Sequence, residues 1–217
     1  MITSFIVSIL NMHHLLPVLI GQYGVFIYVG LFLMIFIETG LVVFPFLPGD
    51  SLLFLCGSIA AMSSHSLNSI ILIILLSLAA IIGDSLNFEI GQRFGKQLTT
   101  PRWHKVIKPK HLAQAKAFFK RHGSLAIFLG RFVPMIRTLI PFTAGISKMQ
   151  YRKFVFFNIL GGIAWVNIAI LSGYFFGNIP VVKAHFELIM LGIVFVSLIP
   201  VAIMALINKR KGQKADA

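Results

Sequence analysis

The chain has 217 residues and a mass of 24.1 kDa, is 58% hydrophobic and only 12% charged, and has a mean hydropathy of +0.91. Soluble domains run at about 45–50% apolar and about 25% charged, so this chain lacks the polar surface to cover a water-soluble globule; a secreted disulfide scaffold, a disordered tail and a soluble nucleic-acid binder are excluded. The formal net charge of +13 comes in blocks: none of the 19 basic residues precedes Arg93, nine lie between Arg93 and Arg121, three between Lys148 and Lys153, and four after Asn208. Such alternation with apolar runs is what the positive-inside rule produces.

Residues 1–20 lack a basic n-region and a small-residue cleavage pattern. Interrupted by His13, His14 and Pro17, residues 1–24 are expected to form an N-terminal interfacial or tilted helix. Residues 25–62 form an apolar run broken at Pro45-Phe46-Leu47-Pro48-Gly49-Asp50, with no basic residue at either end. They are predicted to be a re-entrant hairpin that enters from and returns to the outer face. The lone Cys56 in this run is expected to be a small packing residue. Residues 67–92 are predicted to be a transmembrane helix carrying the chain inward to Arg93, with Asp84 near its end. Gly83-Asp84 and Gly91-x-Arg93-x-Gly95 are expected to set that inner end, and Glu89 and Arg93 are spaced for an i,i+4 pair.

Residues 93–123 read as a basic cytoplasmic loop. Within it, Leu112, Ala115 and Phe119 recur at helical spacing beside Phe118, Lys110, Lys116, Lys120 and Arg121 supply a polar side, and Gly123 offers a stop. This predicts an amphipathic helix on the inner membrane surface; a solvated loop helix is the alternative. The segment 124–147 holds Arg131, Pro134, Arg137 and Pro141. A full crossing there would put the basic flanks on opposite sides. Entry and return on one side leaves all three basic blocks cytoplasmic and only Lys183 outside, so a second re-entrant hairpin is predicted. Residues 154–176 and 186–207 are predicted transmembrane helices, followed by a basic cytoplasmic tail, 208–217. Pro45-Phe46-x-x-Gly49 recurs as Pro141-Phe142-x-x-Gly145, at the break of each predicted hairpin. The expected fold is therefore a single all-α integral membrane domain, 1–217: an inverted repeat of two opposed re-entrant hairpins with about three full transmembrane helices and an interfacial helix.

The buried charges point to function. An Arg at the bilayer centre costs roughly 2.5–3.5 kcal/mol on insertion scales, so Arg131 and Arg137 require compensation. Structural ion pairs with Glu38, Asp50 and Asp84 would supply it; so would an anionic substrate, and both can hold at different times. Asp50 also suits the start of a helix at Ser51. Glu38 has no such excuse, since no other charge lies between Val25 and Phe44. Low dielectric disfavours a charged carboxylate, which makes Glu38 the candidate proton carrier, with Asp50 beside it. A guanidinium fork takes phosphate oxygens in bidentate fashion, so Arg131 and Arg137, around a proline break, form a candidate phosphate site. Gly173-x-x-x-Gly177 is a candidate packing face, and Asn158, Trp165 and Asn167 are expected to face the interior. The seven His residues show no ligand spacing, and no metal or cofactor is expected.

Taken together, Glu38-Thr-Gly, Pro45-Phe-Leu-Pro-Gly-Asp50, Gly83-Asp84, Gly91-Gln-Arg93-Phe-Gly95, Gly130-Arg131-Phe-Val-Pro134-Met-Ile-Arg137, Pro141-Phe-Thr-Ala-Gly145 and Phe157-Asn158 through Gly161 to Trp165 resemble the DedA family of bacterial membrane proteins, which is related to the SNARE-associated Golgi or VTT-domain proteins. The resemblance spans about residues 20–205. It implies opposed re-entrant hairpins, a bacterial inner-membrane location and transport of a lipid phosphate. For bacterial members it implies inward return of undecaprenyl phosphate, linked to the proton-motive force. It places the family's membrane acids at Glu38 and Asp50 and its essential arginines at Arg131 and Arg137, with Asp84, Pro45, Gly49, Pro134, Pro141, Gly145, Asn158 and Trp165 in support. Where relatives often carry Tyr in the Gly-Asp segment, this chain has Phe88.

The expected function is thus a non-enzymatic flippase of polyprenyl phosphate. Its partners would be that lipid, protons and anionic head groups, with no nucleic acid and with homo-oligomerisation left open. A proton-coupled cation or drug exporter, a lipid-phosphate hydrolase and a non-transporting scaffold are the competing readings.

Overall fold

A computed structural model describes residues 12–41, 49–62, 67–98, 109–133 and 136–184. The predicted span 186–207, the tail, Pro45 and Pro134 lie outside the described residues. All regular structure within them is helical: α1 (Met12–Gly40), α2 (Gly49–Met62), α3 (Ser69–Leu98), α4 (Pro109–His122), a 3-10 turn at Gly123–Leu125, α5 (Ala126–Gly130), α6 (Leu139–Ile146), α7 (Tyr151–Gly177) and α8 (Pro180–Ala184).

Helix α1 runs through Pro17, Gly21 and Gly24 without interruption, so the expected division at residue 24 is not a break in secondary structure. An apolar surrounding offers the backbone no other hydrogen-bond partner, which keeps such residues helical. Helix α3 starts on a side-chain cap, with Asn68 Oδ1 accepting from the N–H groups of Ile70 (2.9 Å) and Ile71 (3.2 Å). It continues past the expected inner end to Leu98. Gly83, Gly91 and Gly95 are contact points rather than stops: a Cβ on Gly83 would strike Thr39, and a Cβ on Gly91 or Gly95 would strike Phe142 or Ile146. The i,i+4 pair forms as its spacing suggests, with Arg93 Nε 3.2 Å from Glu89 Oε2.

Helix α4 has the expected amphipathic pattern. Leu112 and Ala115 are buried against the 124–147 segment, while Lys110, Lys116, Lys120 and Arg121 are exposed. Gly123 terminates it with φ +57°, a left-handed conformation that glycine adopts at little cost. The segment 124–147 holds two short helices, α5 and α6, with turns at residues 131–132 and 136–138 between them.

Packing is crossed. Helix α1 packs on α3 and α5 on α7, each within its own half of the chain, whereas α2 packs on α7 and α6 on α3, across the halves. Both crossed contacts depend on small residues. Between α2 and α7, a Cβ on Gly57 would strike the Ile170 carbonyl and one on Gly173 the Phe54 carbonyl. Ser58 Oγ then bridges the helices by donating to Gly173 O at 2.9 Å. Between α3 and α6, a Cβ on Gly145 would strike the Phe88 carbonyl. The sequence's Gly173-x-x-x-Gly177 is accordingly a packing face, and Cys56 is a buried filler beside it.

The stretches Ser69–Gly95 and Tyr151–Gly177 are long and apolar enough to cross a membrane, yet only 39% of the most apolar window of each is buried inside the protein. Outward positions that a soluble helix would make polar are instead Ile70, Ile74, Ile82, Phe156, Ile168 and Phe175, all exposed.

Gly173→Ala places a methyl group against backbone that no rotamer change can clear. It should destabilise the protein by about 1–3 kcal/mol, measured as a fall in Tm in detergent. Gly30→Ala, which has open space around it, should leave Tm unchanged or raise it, since alanine stabilises a helix interior by roughly 0.5–1 kcal/mol over glycine.

Candidate functional site

The charges gather where the ends of α1 and α2 meet the break between α5 and α6. Glu38 lies in the last turn of α1 and Asp50 in the first turn of α2. Both reach Arg137 from the opposite half of the chain. Arg137 Nη1 donates to Asp50 Oδ2 at 2.6 Å, and Arg137 Nη2 donates to Glu38 Oε1. The acids differ in access: the Asp50 side chain is 52% exposed and that of Glu38 only 1%. Asp50 commits both carboxylate oxygens to this cluster. Its other oxygen, Oδ1, accepts from Trp165 Nε1 at 2.8 Å, and the Arg137 guanidinium lies 5.3 Å from the centre of the same indole, within cation–π range. Gly49 lets α2 start against Glu38, because a Cβ there would occupy the carboxylate's position.

A second cluster lies deeper. Arg131 Nη2 is 2.5 Å from Asp84 Oδ2, both side chains being 5% exposed. The same nitrogen donates to Asn158 Oδ1 at 2.6 Å, and Asn158 Nδ2 donates to Ile81 O at 2.9 Å and Ser85 Oγ at 3.3 Å. Gly161 gives the Arg131 chain its passage over α7, since a Cβ would come within 3.1 Å of Arg131 Cδ. Asp84 sits mid-helix in α3, not at the helix end that the sequence suggested.

Between the clusters is a cavity of about 10 Å³ lined by Thr39, Asp84, Arg131, Arg137, Thr138 and Trp165, close to what a single water needs. Among the described residues, Arg131 Nε and Thr138 Oγ1 are buried and find no hydrogen-bond partner.

A VTT domain model matches residues 47–175. The chain is 43% identical to Protein DedA of Escherichia coli over 91% of its own length and 90% of that protein's. It belongs to the DedA family. An uncharacterized membrane protein of Mycobacterium tuberculosis is 40% identical over 85% of this chain and 81% of its own. The inner membrane protein YghB of Escherichia coli is 37% identical over 82% of this chain and 79% of its own. No solved structure matches the chain. It is a membrane protein of this family, and several relatives carry that description in their names.

Of the residues singled out from sequence in this DedA-family chain, Glu38, Asp50, Arg137 and Trp165 form one cluster and Asp84, Arg131 and Asn158 the other. Pro141 lies in the first turn of α6, where a missing N–H is tolerated. Gly145 serves the α3 contact rather than the charges. Asn167 turns back on its own helix, its Nδ2 donating to Ile163 O at 2.8 Å; on α7 it is two positions beyond the buried Trp165 and faces away from the cluster. Asn87 was not foreseen. Its Nδ2 donates to Thr39 O at 3.0 Å and Thr138 O at 2.7 Å, stapling the end of α1 to the break beside Arg137. An Asn in an apolar helix is a weak sign of such a role, and only its interior position turns it into a signal.

Asp84→Asn leaves Arg131 buried without a counter-charge. Breaking a buried pair costs about 3–5 kcal/mol, so a large fall in Tm is expected. Glu89→Gln, at the exposed Arg93 pair, should change stability by less than about 1 kcal/mol.

Proposed function

We propose that this DedA-family protein is a transporter of polyprenyl phosphate, with undecaprenyl phosphate as the substrate, returning the carrier lipid across the bacterial inner membrane in a proton-coupled cycle. The observation that carries this reading is one guanidinium, Arg137, shared by two carboxylates of unequal access. A lipid phosphate offers the same kind of acceptor oxygens as a carboxylate, so it can exchange for an acid on Arg137. The exchange requires an acid to give way, and protonation of Glu38 or Asp50 is the event that would weaken its hold. A ligand drives a conformational change only through a difference in its affinity for the two states; here the difference is between arginine held by acids and arginine held by phosphate. Arg131, secured by Asp84 and Asn158, backs the site with fixed positive charge.

In this reading the broken segments 25–62 and 124–147 act as re-entrant hairpins from opposite faces, as in inverted-repeat transporters. The basic loop and tail face the cytoplasm, and the isoprenoid tail stays in lipid while the head group passes.

The test is reconstitution in vesicles with polyprenyl phosphate on one leaflet and an imposed pH gradient. The unsubstituted protein should move the lipid and respond to the gradient. Hydrogen bonds to charged groups are worth roughly 1.5–3 kcal/mol each, so Arg137→Ala should slow movement on the order of a hundredfold. Arg137→Lys keeps the charge but loses the fork and should slow it about tenfold. Undiminished transport by both variants would eliminate this role for Arg137, and failure of the unsubstituted protein to move the lipid would eliminate the function.

A further inference from the structure

We propose that Trp165 is a phosphate ligand, donating its indole N–H to a substrate oxygen, and that Asp50 is a tethered anion occupying that place between turnovers. The proposal rests on the lipid-phosphate reading and adds a ligand and a competitor to it.

The Asp50 carboxylate is held at both oxygens by different elements, Oδ2 by Arg137 at 2.6 Å and Oδ1 by Trp165 on α7 at 2.8 Å. The two donors are also held to each other, since the guanidinium lies over the indole ring at 5.3 Å. Their mutual position is therefore set by an attraction that does not need Asp50. Together they form a two-donor receptor for an anion with adjacent oxygens, a geometry common to a carboxylate and a phosphate monoester.

Access decides which acid exchanges. Glu38 is sealed, whereas Asp50 is half exposed and lies in the first turn of α2, so it can turn outward without emptying the core. The indole is only 6% exposed, and a buried indole N–H needs an acceptor. When Asp50 leaves, another acceptor must take its place, and the Arg137 guanidinium beside the indole favours an anion. Indole N–H is a donor only, so the receptor selects for an anion and against a cationic substrate. The exchange also has a mechanical result. Asp50 belongs to the first half of the chain and both donors to the second, so replacing Asp50 by phosphate releases a tie between the halves.

The test uses the full chain in detergent micelles with farnesyl phosphate as probe and farnesol as the phosphate-free control. The chain has two tryptophans, so Trp103→Phe leaves Trp165 as the sole reporter. Its emission should shift with farnesyl phosphate and not with farnesol. By calorimetry, Trp165→Phe, which keeps the ring over Arg137 but removes the N–H, should weaken binding about tenfold, the size of one charge-assisted hydrogen bond. Asp50→Asn should tighten binding about threefold or more by removing a competing charge while slowing transport in vesicles. Unchanged affinity in Trp165→Phe, or weaker binding in Asp50→Asn, overturns the proposal. If Trp165→Phe does not fold, the Asp50→Asn affinity decides alone. Failure of the unsubstituted chain to bind farnesyl phosphate, or equal affinity for inorganic phosphate, overturns the transporter reading itself.

Discussion

A guanidinium in an apolar interior must be answered by negative charge, and this requirement organises the molecule. Both arginines, Arg131 buried and Arg137 partly buried, come from the break between α5 and α6, and the carboxylates that answer them come from α1, α2 and α3. Charge neutralisation can therefore be completed only between the two halves. The residues around each pair make the approach feasible: Gly49 clears the way to Glu38, Gly161 makes room for Arg131, and Asn87 fixes the end of α1 to the break. The ion pairs are thus both a folding constraint and the place where an incoming anion would compete.

The two pairs are not equivalent. Arg131 is engaged by an acid and an amide, all three buried. Arg137 is engaged by one sealed and one half-exposed acid, with an aromatic face alongside. A fixed charge beneath a more accessible one is the division that the proposed anion exchange calls for.

Much of this was legible in the sequence because charges in apolar runs are costly and so stand out. Glu38, Asp84, Arg131 and Arg137 could be named from hydropathy alone, as could the amphipathic pattern of α4 and its glycine stop. Their pairing could not, because sequence spacing says nothing about which helices cross. Asn87, Thr39 and Thr138 were silent for a related reason: short polar side chains are common in apolar helices and acquire meaning only from what they face. The glycines near Arg93 were mistaken for helix ends because a glycine that stops a helix and one that admits a neighbour look alike in one dimension. Only their neighbours, the Phe142 backbone at Gly91 and the Ile146 side chain at Gly95, tell them apart.

The crossed packing of α2 on α7 and of α6 on α3 has a consequence for biogenesis. Helix α2 finds its groove only after Tyr151–Gly177 has been synthesised, and until then the glycine and serine surface meant for that groove faces lipid or the insertion machinery. The packing of α2 is for that reason completed only once the second half of the chain is present. An interruption of the chain between the halves would leave two incomplete surfaces, each the missing partner of the other.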